Sequence, residues 1–481
     1  MEWFTAPDYW LSRLLFHRGL AAVYLLAFLA AARQFRALIG AQGMLPVPRF
    51  VRQVPFRRAP SLFQLHYSDR FFAVVAWSGA ALSAAMVAGV TDLVPLWAAM
   101  LLWATLWVLY LSIINVGQAW YAFGWESLLL EAGFLAILLG NDRTAPPVSV
   151  LWLTRWLLFR VEFGAGLIKL RGDSCWRDLT CLYYHHETQP MPGPLSWFFH
   201  HLPKPMHRIE AAANHCAQLV VPFGLFAPQP VASVAAAIII GTQLWLVLSG
   251  NFAWLNWVTI LLAVTAIDGS SAAALLRLSE PQRASGAPRW FVALVLATTV
   301  LMVCLSYQPV RNMVSSHQQM NASFNPYHLG NTYGAFGSVG RNRHELVIEG
   351  TDEPELTQRT PWREYEFKGK PGDPRRLPRQ WAPYHLRLDW LMWFAATSPF
   401  YARGWLIPFL QRLLENDPAT LRLLRRCPFP DNPPKYVAVR VYEYRFTTRR
   451  ELLRDRTWWH RTLIGELIPP MTMRNADYKS R

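Results

Sequence analysis

The stretch GDSCWRDLTCLYYHHETQPMPGP, residues 172–194, places two cysteines, two adjacent histidines, several acids and three aromatics directly after an apolar run. Four chemistries are open to such residues. For a metal, the donors are Cys175, Cys181, His185 and His186, with His200, His201 and His207 further on. No pair has the C-x-x-C or H-E-x-x-H spacing that sets ligands around one tetrahedral centre, so no metal is expected. For a disulfide, Trp176, Leu179, Leu182 and Tyr183 recur at helical intervals, which predicts one amphipathic helix along the membrane interface. On such a helix Cys175 and Cys181 project about 120° apart at ~3.6 residues per turn. Free buried thiols are then favoured over a mutual bond, and pairing with another cysteine would require an oxidising compartment. For catalysis, Lys169 with His185, His186 and Glu187 could move a proton, but the chain shows no nucleophile elbow, P-loop or Rossmann turn. The remaining chemistry is recognition. Trp176, Tyr183, Tyr184, His185, His186, Trp197 and Phe198 offer apolar surface with hydrogen-bonding edges, which suits contact with another polypeptide.

A second group of reactive side chains lies inside the preceding apolar run, PVSVLWLTRWLLFRVEFGAGLIKL. Arg155, Glu162 and Lys169 recur every seventh residue and share one helix face, while Arg160 lies elsewhere. The run before it carries Glu126 and Glu131. A charge at mid-bilayer costs roughly a few kcal/mol, so pairing between neighbouring helices is expected. The functional alternative is a buried polar pocket with Lys169 as a base.

These residues need helices to position them. The chain is 53% hydrophobic and only 16% charged over 481 residues, against about a quarter charged in a soluble protein. Apolar runs at 14–32, 71–90, 95–117, 122–140, 147–170, 211–227, 230–249, 252–268 and 289–307 predict about eight or nine spans, each needing about 20 residues. The fold class expected is a mainly α-helical polytopic membrane protein with a C-terminal α+β extramembrane domain. Residues 1–307 form the multi-span part, with an interfacial loop at 171–208, and 308–481 form the second domain. An odd span number puts loops 33–70 and 171–208 and the C-terminal domain on one side. The net charge of +16 has no nucleic-acid motif to carry it, which leaves anionic lipid as the partner and no nucleic acid. The arginine-rich loop 33–70 places that side in the cytoplasm by the positive-inside rule.

Beyond residue 308 the texture changes. HELVIEG, REYEFKG and KYVAVRVYEYRF alternate as strands do, and LDWLMWFAA and WLIPFLQRLLENDPATLRLLRR read as helices. Gly334, Gly337 and Gly340 mark a turn. The segment 363–374 reads as an edge strand whose backbone could pair with an extended client. Alternation puts Arg387 and Asp389 on one face as a salt bridge.

Several blocks are recognisable: NVGQAWYAFGWESLLLEAGFLAILLG, GDSCWRDLTCLYYHHETQPMPGPLSWFFHHLP, SGNFAWLNW, NASFNPYHLGNTYGAFGSVGRNRHELVIEGT, YEFKGKPGDP, APYHLRLDWLMWFAA and PFPDNPPKYVAVRVYEYRF. They resemble the lipase maturation factor family. That resemblance implies a multi-pass protein of the endoplasmic reticulum membrane, with no cofactor and no catalysis, that assists folding and assembly of secreted homodimeric lipases. It also implies a lumenal C-terminal domain, against the arginine count. The alanine- and arginine-rich spans and trimmed loops read as bacterial, which would mean a plasma membrane. The membrane half is similar, more distantly, to the transmembrane part of vitamin K-dependent carboxylases. The rival that similarity implies is a membrane enzyme using Lys169, Glu162 and His185. A transporter lined by Arg155, Glu126 and Glu131 is a third possibility.

Overall fold

Hydrocarbon offers no hydrogen bonds, so a chain crossing it must satisfy its backbone internally. The apolar runs do so as helices. The structure is a computed structural model that describes residues 3–269 and 286–473. Among the described residues five helices are long and apolar enough to cross a membrane: Pro7–Leu38, Asp69–Ala88, Leu96–Val116, Val231–Ser249 and Arg289–Val314. Their starts are written in the sequence. Ser68 caps the second by accepting from the Phe71 amide, and Pro95, Pro230 and Pro288 stand just before the third, fourth and fifth.

The other four expected spans take different forms. Run 122–140 yields a helix only over Gly124–Ala136 before turning, and run 252–268 only over Leu255–Val264. Helix Val148–Arg171 has the length but carries Arg155, Arg160, Glu162, Lys169 and Arg171. The run expected at 211–227 begins earlier, as an amphipathic helix Lys204–Leu219, and breaks before a short turn of helix at Val221–Gly224 that contains Pro222.

Contacts at the helix ends define two faces of the bundle. At one, the Val148 amide donates to Phe4 (2.8 Å), Arg13 reaches Asp142 (2.5 Å), and Gln229 donates to Ala266 (2.9 Å). At the other, Asn115 donates to Pro60 (2.8 Å) and Pro326 (3.0 Å), Arg341 pairs with Asp173 (2.9 Å), and Gln189 donates to Ser249 (2.8 Å). The chain shuttles between these faces, and the second gathers loop 39–68, segment 172–203 and residues 315–473.

That second face carries a four-stranded antiparallel sheet in the order β2-β1-β3-β4, made of β1 Arg343–Thr351, β2 Arg363–Glu364, β3 Tyr436–Phe446 and β4 Trp459–Met471. β1 pairs with β3 from Arg343↔Tyr444 to Thr351↔Tyr436. β2 is shorter than expected and pairs only at Glu349↔Glu364 and Gly350↔Arg363. β4 escaped the alternation test because it contains Gly465, Pro469 and Pro470, residues an edge strand tolerates. Helix Arg387–Thr397 packs on β1. The apolar interior is continuous: Leu346, Ile348 and Met392 belong to the same buried cluster as Tyr24, Leu128 and Trp254.

Candidate functional site

The segment that opened the question is not one amphipathic helix. Asp173 caps a single turn, Ser174–Arg177, by accepting from the Cys175 amide (3.0 Å). Leu179 then takes a left-handed conformation at φ 58°, and a second helix starts at Leu182–Thr188. The amides of Thr180 and Cys181 both return to the Cys175 carbonyl, at 2.8 and 3.2 Å. This reversal brings the two cysteines to a Cα separation of 4.8 Å, and they are joined in a disulfide. The expectation of separate thiols is corrected, because the 120° argument assumed a continuous helix that Leu179 interrupts.

The aromatics of this segment are mostly interior. Trp176 is buried and its indole N–H donates to the Phe336 carbonyl (2.8 Å). Trp197 is buried and donates to Thr447 (2.8 Å). His185 lies edge-on to the Phe336 ring at 4.7 Å, and burial lowers its pKa to about 3. His186 is buried, Tyr183 and Tyr184 are half-buried, and Phe198 is 52% exposed. Of the expected client-contact residues, Trp176, His185 and His186 are therefore interior, Trp197 joins this segment to the end of β3, and Phe198 alone is fully at the surface. Arg343, at the start of β1, secures the same junction. It donates to the carbonyls of Glu187 (2.9 Å), Gln189 and Pro190 (3.1 Å) while paired with Glu345 (2.6 Å). The Glu187 carboxylate accepts from the Phe446 amide (2.6 Å), and burial pushes its pKa up.

The charges of the bundle find partners, some from unexpected places. Glu131 pairs with Arg160, as expected for neighbouring helices. It also accepts from the amides of Gly330 (3.2 Å) and Asn331 (3.2 Å), the Asn331 side chain (3.0 Å) and the Tyr333 hydroxyl (2.9 Å). Glu126 pairs with Arg387 at 2.5 Å. The expected Arg387–Asp389 bridge is corrected. Both residues start a helix, where adjacent-but-one positions diverge, and Asp389 instead accepts from the amides of Gly369 (2.6 Å) and Lys370 (3.0 Å). Arg155 donates to Tyr9 (2.9 Å) and to the Leu225 carbonyl (3.2 Å).

Glu162, Lys169 and His185 each bond to other side chains or rings. Glu162 accepts from Gln243 (2.7 Å), which in turn accepts from Asn256 (2.7 Å). Lys169 donates to Asn214 (2.7 Å) and Gln218 (2.8 Å), and its ammonium lies 4.9 Å from the Trp176 ring centroid. Among the described residues no hydrogen bond joins the three. Among the described residues two sets of metal-ligand atoms fall within 4.8 Å of one another: Asp173, Cys175 and Cys181, and His186, His207 and Glu210. The disulfide consumes the thiols of the first. The second draws on two helices separated by residues 189–203, so local spacing gives no sign of it.

Comparison with known proteins gives a consistent result. The family model described as the lipase maturation factor transmembrane domain matches residues 11–274, and the lipase maturation factor C-terminal domain matches 329–469. Lipase maturation factor 1 of Bos taurus is 41% identical, over 97% of this chain and 90% of its own length. The Homo sapiens protein of that name is 39% identical over 97% and 88%. Lipase maturation factor 2 of Homo sapiens is 29% identical over 96% and 83%. These relatives are animal proteins, and the bacterial reading finds no support in them. No solved structure matches the chain.

Proposed function

The chain belongs to the lipase maturation factor family, and from that premise we propose that it is a membrane-embedded maturation factor for exported proteins, secreted lipases foremost, acting by holding client surface without covalent chemistry. The observation that carries this reading is the shared face: segment 172–203, loop 39–68 and the sheet assemble at one end of the bundle, over the whole length matched by the family. Alternation of helix ends supports about nine crossings, with the short and charged helices enclosed by the apolar ones. The Cys175–Cys181 disulfide supports an oxidising compartment on that face, such as the lumen of the endoplasmic reticulum, and outweighs the arginine count of loop 33–70. Arg33, Arg36, Lys368 and Arg422 line a groove of 520 Å³ that suits an anionic lipid headgroup.

The client-holding surface is best placed where exposed apolar groups meet a free strand. Phe198 packs near Trp458, with ring centroids 6.3 Å apart, and Trp458 leads into β4. β4 pairs with β3 alone among the described residues, and exposes Leu463 and Ile464. An extended apolar client segment can add to such an edge. The test is co-expression with a secreted homodimeric lipase in cells lacking their own maturation factor. The wild-type chain should raise secreted lipase activity, and F198D combined with I464D should lower that gain at least several-fold at equal expression. Full activity of the double variant would remove this surface from the mechanism, and no gain from the wild-type chain would remove the lipase as client.

A further inference from the structure

We propose that His186, His207 and Glu210 form a binding site for one divalent transition-metal ion of the zinc class. His207 and Glu210 stand three residues apart in the first two turns of helix Lys204–Leu219, on one face. His186 reaches them from helix Leu182–Thr188. The three donor atoms lie within 4.8 Å of one another.

The two separations to the shared carboxylate oxygen are closer to those of ligands around one ion than to those of groups bonded to each other. His186 Nε2 lies 3.6 Å from Glu210 Oε2, and His207 Nδ1 lies 3.7 Å from the same oxygen. Charged hydrogen bonds close to about 2.8 Å. A tetrahedron with metal–ligand bonds of about 2.0–2.2 Å has edges of about 3.4 Å. The rings also lie beside each other, centroids 5.6 Å apart at 34°.

The atoms pointing at this centre have nothing else to bond. His186 Nε2, His207 Nδ1 and Glu210 Oε2 are buried without a hydrogen-bond partner among the described residues. His186 is 1% exposed and His207 2%. Unsatisfied polar atoms in an interior cost about 1–3 kcal/mol each, so several converging on one point call for a shared partner. The remaining atoms of the set are already held. His207 Nε2 faces the His200 carbonyl at 3.3 Å, so that nitrogen donates and Nδ1 keeps its lone pair. Trp245 donates to Glu210 Oε1 at 2.7 Å, leaving Oε2 toward the centre. Such outer hydrogen bonds fix tautomer and orientation of metal ligands. Two imidazoles and a carboxylate suit zinc, and three protein ligands leave a fourth tetrahedral position open.

Bound there, the ion would tie helix Leu182–Thr188 to helix Lys204–Leu219, next to the Glu187 and Gln189 carbonyls that Arg343 holds. The test is metal content of the full chain purified in detergent without chelator, by plasma mass spectrometry, followed by chelation and re-addition of zinc. About one zinc per chain is expected, with re-addition raising the melting temperature of the chelated protein. E210Q keeps the size and the Trp245 hydrogen bond, so it should fold, yet hold less than a tenth of the zinc and lose the thermal response. His207→Asn should do the same. Cobalt(II) added to the chelated wild-type should give visible absorption bands that E210Q lacks. Zinc content equal in wild-type and E210Q, or a wild-type chain that takes up no zinc and shows no thermal response, would overturn the assignment.

Discussion

Glu126 and Arg387 meet at 2.5 Å with neither side chain exposed, although one lies in the helical bundle and the other opens the helix that packs on the sheet. Arg387 also donates to the Trp120 carbonyl (2.8 Å) and stacks 3.5 Å from the Tyr121 ring centroid, and Glu126 accepts from Tyr110 as well. The pair is therefore a key that seats the extramembrane part on the bundle. Removing one partner strands a buried charge and costs on the order of 3–5 kcal/mol. Arg387→Met and Glu126→Gln are each expected to lower the detergent melting temperature sharply, while the double variant regains part of the loss. Thermal melts of the four proteins measure this coupling, and additive losses would mean that the pair does not act as a unit.

The disulfide makes a prediction about thiols. Cys216, Cys304 and Cys427 are free, and Cys175 and Cys181 are bonded. Denatured, unreduced protein should take up alkylating reagent at those three positions only, and at all five cysteines after reduction. Closing so short a loop restricts the unfolded chain by about 2 kcal/mol. The C175S/C181S variant should therefore melt lower and lose maturation activity before it loses expression. Alkylation of Cys175 and Cys181 in native membranes without reductant would place this face in a reducing compartment.

How far the sequence could foresee this arrangement depended on the range of the interaction. Apolar periodicity marks helices Asp69–Ala88 and Leu96–Val116 within a residue or two, because their environment is lipid and neighbouring helix throughout. β1 and β3 alternate enough to be seen. The Cys175–Cys181 bond was hidden by one left-handed residue, Leu179, which no propensity marks because tertiary packing imposes it. Arg387 was matched with Asp389 for want of any local sign of Glu126. The Trp176 and Trp197 indoles read as surface because the segments that cover them, at Phe336 and Thr447, arrive more than a hundred residues later.

His328 makes stability depend on pH. Its Nδ1 faces the hydroxyls of Ser127 (3.0 Å) and Ser323 (2.9 Å), and its Nε2 donates to the Asn115 side-chain oxygen (3.1 Å). Burial lowers its pKa from 6.5 to about 4, against a smaller opposing pull from Glu126. Between those values the unfolded chain binds a proton that the folded one does not. Stability is then full above pH 6.5, falls as pH drops through the window, and levels off below about 4. The contribution is roughly 3 kcal/mol. Melts between pH 7 and pH 4.5 should show a shallower decline for His328→Gln than for wild-type. The other buried histidines act equally in both proteins, so identical slopes would assign the ring no role.

Lys169 separates a holding function from an enzymatic one. Its ammonium is engaged by Asn214 (2.7 Å) and Gln218 (2.8 Å) and lies against Trp176, which describes a cation fixing helix Val148–Arg171 to helix Lys204–Leu219. A base needs a route to a reacting proton, and these two amides occupy the donors instead. Lys169→Met keeps the stem and its contact with the indole but removes the charge, leaving two amide oxygens without their donor. The expected result is a loss of about 1–3 kcal/mol in stability with maturation activity per folded molecule within about two-fold of wild-type. Lys169→Arg, which keeps the charge but not the compact ammonium, should fall between the two in stability. Maturation of a co-expressed lipase, normalised to folded protein by size-exclusion in detergent, reads the difference. A drop of a hundred-fold or more in well-folded Lys169→Met would instead mark the amine as a reacting group and favour the carboxylase-like rival.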